Sequence, residues 1–245
     1  MVQVMTGTRA PTNDGDAAEP AAVPARPAST VMLVRDGSAG VEAFMLRRAP
    51  TMSFAPGALV FPGGAVDPQD SDPSLPWAGP GTDAWARALG LPASRAVAHV
   101  AAAVRETFEE CGVLLASPPA SSTAPLTAMA RTADRERLIN GEHTLTQLLQ
   151  TRGLVLRSDW LLPWDHWVTP RSYPRRYDTR FFLARCPRGQ SPRHVGGEST
   201  QSRWWPAAEA LRQARSGDVH LMYPTRACLV ALAAAPTVAE LSPRR

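Results

Sequence analysis

Residues Arg105 to Val113 read Arg-Glu-Thr-Phe-Glu-Glu-Cys-Gly-Val and constrain this chain more than any other stretch. Glu106, Glu109 and Glu110 stand at i, i+3 and i+4, so a helix through them carries all three carboxylates on one face. The surrounding residues call for that helix. Val97, Val100, Val104 and Phe108 recur at helical spacing, Ala101 to Ala103 are strong helix formers, and Gly112 supplies the stop. The predicted helix therefore runs from Ala93 to Cys111. Clustered negative charges repel one another, and on spacing alone such a face is more often solvated surface than a site. The preceding sequence changes that balance. A short apolar strand over Leu59 to Pro62 enters Pro62-Gly63-Gly64, a turn whose glycines let the backbone approach a phosphate or an ion. Carboxylates near such a turn suit a hard divalent cation, Mg²⁺ or Mn²⁺, bound through oxygen. A site of that kind suits diphosphate chemistry.

Composition narrows the class. At 245 residues, 44% hydrophobic and 20% charged, the chain reads as one soluble domain with a substantial core. No apolar run approaches a membrane span, and no charged-then-apolar export signal opens the sequence. Cys111, Cys186 and Cys228 have neither metal-like spacing nor an even framework, so a reducing, cytoplasmic setting is expected. Cys111 is read as a small buried filler. The last residues, Ser242-Pro243-Arg244-Arg245, lack a peroxisomal Ser-Lys-Leu address. A net charge of +4 helps attract polyanionic small molecules but is too small and too scattered to argue for nucleic-acid binding.

Along the chain, residues 1–27 read as a disordered tail, 28–236 as the folded domain and 237–245 as a second tail. Ser29 to Arg35 and Glu42 to Arg47 form a predicted hairpin across a Gly-rich turn. Leu126 to Ile139 and Thr144 to Arg152 are predicted helices of a cap spanning about 124–152. Trp160 to Trp167 and Tyr177 to Cys186 are aromatic-rich strands, and Pro206 to Ser216 and Thr225 to Ala234 are closing helices. Mixed strands with flanking helices give an α/β sandwich.

These motifs resemble the Nudix hydrolase box: Gly, five residues, Glu, seven residues, then Arg-Glu-x-x-Glu-Glu-x-Gly and an apolar residue. Arg105 to Val113 match its second half throughout. Two departures stand out. Asp70 occupies the position of the first Glu, and 34 residues rather than seven separate it from Arg105. The excess, about 71–92, is read as an insertion with a short helical segment over Asp83 to Leu89. The shorter side chain and the adjoining insertion put a contribution from Asp70 in question. A long insert here resembles the coenzyme A diphosphatase branch, as do Leu46-Arg47-Arg48, Ala55-Pro56-Gly57 and the distal Trp167-Val168-Thr169-Pro170 and Arg176 to Leu183.

The resemblance implies metal-assisted hydrolysis of a nucleotide diphosphate. Glu109 and Glu110 are the first expected ligands, the Gly64 carbonyl is a further one, and Glu106 is either a ligand or the base that takes a proton from water. Arg105 would orient and hold Glu106 charged. Glu198, behind Gly196 and Gly197, is read equally as a metal ligand or base and as a solvated loop residue. Gly63, one of Arg47 and Arg48, and the cluster containing Arg176 and Arg180 are expected at the substrate, the last gripping a 3′-phosphate while Tyr173 or Tyr177 stacks a base. Coenzyme A or acyl-coenzyme A is the leading substrate. ADP-ribose, dinucleoside polyphosphates and RNA caps remain alternatives, a non-catalytic sensor ranks below them, and a homodimer is one reading of the oligomeric state.

Overall fold

The computed structural model describes residues 23–52, 55–120, 132–194 and 199–242. Its centre is a mixed seven-stranded sheet. Strand β1 (Arg26–Gly37) turns through Ser38 and Ala39 into β2 (Gly40–Arg48), the hairpin expected from the sequence. Strands β3 (Leu59–Val60) and β4 (Gly63–Ala65) flank the Pro-Gly turn, β3 pairing with β2 and β4 with the first half of β1. The main strand order is β10-β2-β1-β9-β8, with β8 (Leu161–Val168), β9 (Tyr177–Arg185) and β10 (Ser199–Pro206). β1 and β9 run parallel, and the other pairs in this sheet are antiparallel.

The two faces of the sheet bury different cores because side chains alternate along each strand. From β1, Val31 and Leu33 point to one face and Met32 and Val34 to the other. β2 divides likewise into Phe44 and Leu46 against Ala43 and Met45. On the first face lies helix α2 (Ala93–Cys111), with the same bounds as expected; Val100, Val104 and Phe108 are buried there. On the second lie α5 (Ala207–Ser216) and α6 (Tyr223–Ala234), which contribute Leu211, Leu229 and Leu232. The result is the expected α/β/α sandwich.

The insertion is more structured than a loop. It holds a 3-10 turn over Pro68–Ser71, β5 (Trp77–Ala78) and α1 (Thr82–Leu89), whose Trp85 and Leu89 join the core beneath α2. β5 pairs with β7 (Val155–Arg157), which also pairs with β6 (Ala116–Ser117). This second sheet escapes sequence reading because two or three residues carry no periodic signal. The expected cap helices are α3 (Thr132–Ile139) and α4 (Leu145–Arg152). The first six residues of the longer predicted helix, 126–131, fall outside the described residues. Leu138, Leu145, Leu148 and Leu149 sink into the core, so these helices act as a wall beside α2 rather than as a loose lid.

Both predicted domain edges shift outward. β1 begins at Arg26, within the expected tail, because Arg26 pairs with Tyr177 of β9. At the other end Val238 is buried and its N–H donates to Asp36 Oδ1 at 2.6 Å, so the segment after residue 236 packs back on the hairpin. No helix among the described residues is long and apolar enough to cross a membrane.

Candidate active site

Helix α2 ends where the sequence says it should. Gly112 adopts φ 71°, the left-handed conformation that favours glycine, and its N–H closes on the Phe108 carbonyl. The remaining free carbonyls of the last turn find donors from elsewhere. Arg135 of α3 donates to Glu109 O from Nε at 2.8 Å and Nη2 at 2.6 Å, and the Arg193 N–H donates to Cys111 O at 2.8 Å. His194 Nδ1 lies 3.2 Å from Glu110 O, an arrangement in which Nδ1 carries the proton. A helix C-terminus carries partial negative charge, so the Arg135 cation is also placed favourably. The turn bearing Glu109 and Glu110 is thus clamped by two separate segments.

Arg105 is the hub of the carboxylates. It is buried, and its guanidinium meets Asp70 with two parallel bonds, Nε to Oδ1 and Nη2 to Oδ2, both 2.9 Å. Nη2 also donates to the Ala65 carbonyl at 2.8 Å, which ties α2 to β4. Nη1 donates to Glu106 Oε1 at 2.9 Å and reaches Glu109 at 3.3 Å. The Asp70 carboxylate is itself buried and accepts the Asp67 N–H at 2.8 Å. The contribution of Asp70 put in question above is therefore substantial. It fixes Arg105, and the 3-10 turn at the start of the insertion presents it. This could have been anticipated only by pairing the two ends of the insertion.

Charge around Arg105 does not balance. Asp70, Glu106 and Glu109 all accept from the one Arg105 guanidinium, and Asp67 lies 3.7 Å from it. Burial opposes the charge on Arg105, but the Asp70 hydrogen bonds and the neighbouring carboxylates outweigh it and hold the group charged. Burial pushes Glu106 up to about 7; the Arg105 charge pulls the other way and the Glu109 charge adds to the rise. Burial also pushes Glu109 upward. Glu106 sits so close over Gly64 that a β-carbon there would run into its carboxylate, and Glu110 Oε2 accepts the Gly63 N–H at 2.9 Å. Gly63, at φ 158°, has the Ser29 carbonyl and Thr30 Cα where a side chain would begin. Gly63 and Gly64 are glycine because β1 closes on the first and Glu106 on the second.

Among the described residues, no three carboxylate, imidazole or thiol groups converge closely enough to hold a metal ion. The donor set nevertheless fits a hard divalent cation, being all oxygen, partly buried and short of positive charge. A cation would remove the cost that burial imposes on the charged forms of Glu106 and Glu109.

The three glutamates and Gly63, Gly64 and Ala65 form one end of a cavity of about 850 Å³. Arg48 is on the lining and Arg47 is not; Arg47 Nη2 instead reaches the Asp218 carbonyl at 3.3 Å. One arginine of the pair faces inward, as strand alternation requires. The remaining walls come from β8, β9 and the segment entering α6, among them Trp167, Tyr177, Phe181 and Tyr223. Tyr173 is on the lining as well.

Arg176 and Arg180, expected at the substrate, are not on the lining of this cavity. Tyr177, Thr179 and Phe181 line it, and Arg180, one step out of phase on β9, points to the opposite face, where Nη1 donates to Leu89 O at 2.6 Å. Arg176 donates to Thr169 O and Val23 O at the root of the β8–β9 connection. Glu198 lies outside the described residues. His194, His220, Met222 and Tyr223 line the cavity too, and nothing in their local sequence marks them for it.

Comparison with known proteins agrees with this geometry. Residues 82–229 match the family model described as the NUDT19 Nudix domain. The acyl-coenzyme A diphosphatase NUDT19 of Gallus gallus is 29% identical over 230 residues, covering 77% of this chain and 60% of that protein. The Homo sapiens protein of the same name is 29% identical over 222 residues, covering 76% of this chain and 58% of that protein. The chain thus spans about three-fifths of the length of these relatives. A crystal structure of a NUDIX hydrolase from Alicyclobacillus acidocaldarius superposes with a TM-score of 0.73 at 32% identity, covering 91% of this chain and 99% of that one. With the box helix, its arginine hub and the sandwich all in place, the chain belongs to the Nudix hydrolase family, in the branch that the NUDT19 Nudix domain describes.

Proposed function

We propose that the protein hydrolyses the diphosphate linkage of a nucleoside diphosphate derivative, with coenzyme A or acyl-coenzyme A as the preferred substrate. The observation that carries this reading is the carboxylate wall around Arg105, on a cavity whose β8, β9 and 221–223 walls carry no charged side chain. The name of the curated relatives supports the choice of acyl-coenzyme A. Water would add to one phosphorus and the bridging P–O bond would break, giving 3′,5′-ADP and a 4′-phosphopantetheine product.

In this reading Glu109 and Glu110, with Glu106 and the Gly64 carbonyl, hold Mg²⁺ or Mn²⁺. The cation supplies charge neutralisation at the phosphate oxygens. Arg105 positions Glu106 and Glu109 and is itself fixed by Asp70. Glu106 serves as a further ligand or takes the proton of the attacking water, and Glu198 is the second candidate for that proton. Arg48 and the Gly63–Gly64 backbone meet the phosphates.

Incubation of the protein with coenzyme A and Mg²⁺ or Mn²⁺, with products read by mass spectrometry, tests the proposal. The expected result is 3′,5′-ADP and phosphopantetheine, abolished by EDTA. One observation favours a different nucleoside diphosphate: Arg176 and Arg180, the residues expected at a 3′-phosphate, are off the cavity lining. Intact coenzyme A alongside cleavage of ADP-ribose or a dinucleoside polyphosphate would establish that alternative.

A further inference from the structure

We propose that Tyr223 and Trp167 are specificity-determining residues that seat the uncharged arm of the substrate, across the sheet from the carboxylate wall. The inference rests on the diphosphate reading and adds a direction to it. Strand pairing supplies the geometry. Ala65 of β4 pairs with Ala28 of β1, Ala28 with Thr179 of β9, and Thr179 with Trp167 of β8. All four residues line the cavity, so they form a single row across its floor. Neighbouring strands are about 4.8 Å apart, which sets Trp167 roughly 14 Å from Ala65. The residues between are small, and they leave a channel from the glutamates to the indole ring.

The far end of the channel is built for apolar contact. The Tyr223 ring meets Trp167 edge-on, with centroids 5.3 Å apart and planes at 71°. Phe181, Leu221 and Met222 complete that end. Large apolar side chains left in water call for an explanation when they gather. Three of the five exposed among the described residues, Ile139, Tyr173 and Tyr223, at 49%, 47% and 53% exposure, lie on this cavity's lining; Val23 and Val230 do not. The charged lining residues, Arg48 and the three glutamates, come from β2 and α2. None comes from β8, β9 or residues 221–223. A phosphorylated nucleoside would find no arginine or lysine on that stretch of the lining. An uncharged arm of amides and a thioester would find aromatic rings and room to lie extended.

The test separates this inference from the diphosphate reading by using a probe with no phosphate. The full chain is titrated calorimetrically with S-hexanoyl-pantetheine, alongside Tyr223→Ser and Trp167→Phe variants. The first variant alters an exposed ring and spares the core; the second keeps most of the buried volume. Saturable binding to the wild type, weakened about fivefold by Tyr223→Ser, is the expected result. With an acylated diphosphate that the protein cleaves, the loss in Tyr223→Ser should fall on KM rather than on kcat. No saturable binding of the probe, or equal binding by both variants and the wild type, overturns the inference. Probe binding without cleavage of coenzyme A would refute the proposed substrate and leave the seat standing; cleavage without probe binding would do the reverse.

Discussion

At the scale of single residues, the site turns on Asp70 and Arg105. Asp70 accepts from both Nε and Nη2 of the buried Arg105; Asn offers one acceptor and one donor in its place, so a buried donor is left unmet, a change worth about 1–3 kcal/mol. Asp70→Asn should therefore lower the unfolding free energy measured in urea by an amount in that range and slow turnover together, because the hub also positions Glu106 and Glu109. An unchanged midpoint would show that Asp70 is dispensable. Glu110→Gln should behave differently. Its side chain keeps an oxygen for the Gly63 N–H, so the fold should hold. Turnover should be lost, and with it the rise in melting temperature that Mn²⁺ gives the wild type; saturating cation stabilises by about 2.7 kcal/mol at a hundredfold excess over its Kd. Retained activity in Glu110→Gln would end the metal assignment. The glutamates and Arg105 were legible from the sequence because helical spacing is local. Asp70 was not, since its partner lies 35 positions away and an insertion separates them.

At the scale of elements, α2 has both ends where local chemistry placed them, and its stop is testable. Gly112→Ala forces a β-carbon into the left-handed region, which should cost about 1 kcal/mol in chemical denaturation. The cost should be accompanied by a larger fall in activity, because the glutamate-bearing turn ends there. A second element-level prediction concerns His99, buried in α2 against the Ser29 hydroxyl at 3.1 Å. Burial pushes its pKa down to about 4, aided by the Arg180 and Arg95 charges and opposed by Asp178. The folded state thus binds the proton less readily than the unfolded chain. Stability from the neutral ring is fully present above about 6.5 and is lost as pH falls toward 4, by about 3 kcal/mol at most. Melting temperatures measured from pH 4 to 7 should fall less steeply for His99→Gln than for the wild type; parallel profiles would show that His99 is not responsible. The elements that sequence reading missed, β5 and β10, share a cause. β5 is two residues long, and β10 opens Ser-Thr-Gln-Ser with no alternating apolar pattern, so partners elsewhere in the chain create both.

At the scale of the whole molecule, the insertion is part of the core. Trp85 of α1 packs at 5.9 Å from the Phe182 ring of β9, and both are buried. Trp85→Ala should cost about 3–5 kcal/mol, measurable as a shift in unfolding midpoint, whereas a merely decorative insertion would tolerate it. The sandwich was visible in the sequence because the continuous apolar runs of β1 and β2 and the helical period in α2 are each local signals. The cavity was not, because its walls come from segments as distant as Ala28, Glu106 and Tyr223, and no single stretch announces it.

The two-sidedness of β9 has a consequence for how proteins of this shape diversify. Tyr177, Thr179 and Phe181 look into the cavity, while Arg180 and Phe182, out of phase with them, fasten the strand to the α1 and α2 layer. Preference and integrity are therefore written on alternate letters of the same word. Selection can rewrite one set and leave the other unread, so a descendant could acquire a new diet without first having to survive a weaker skeleton.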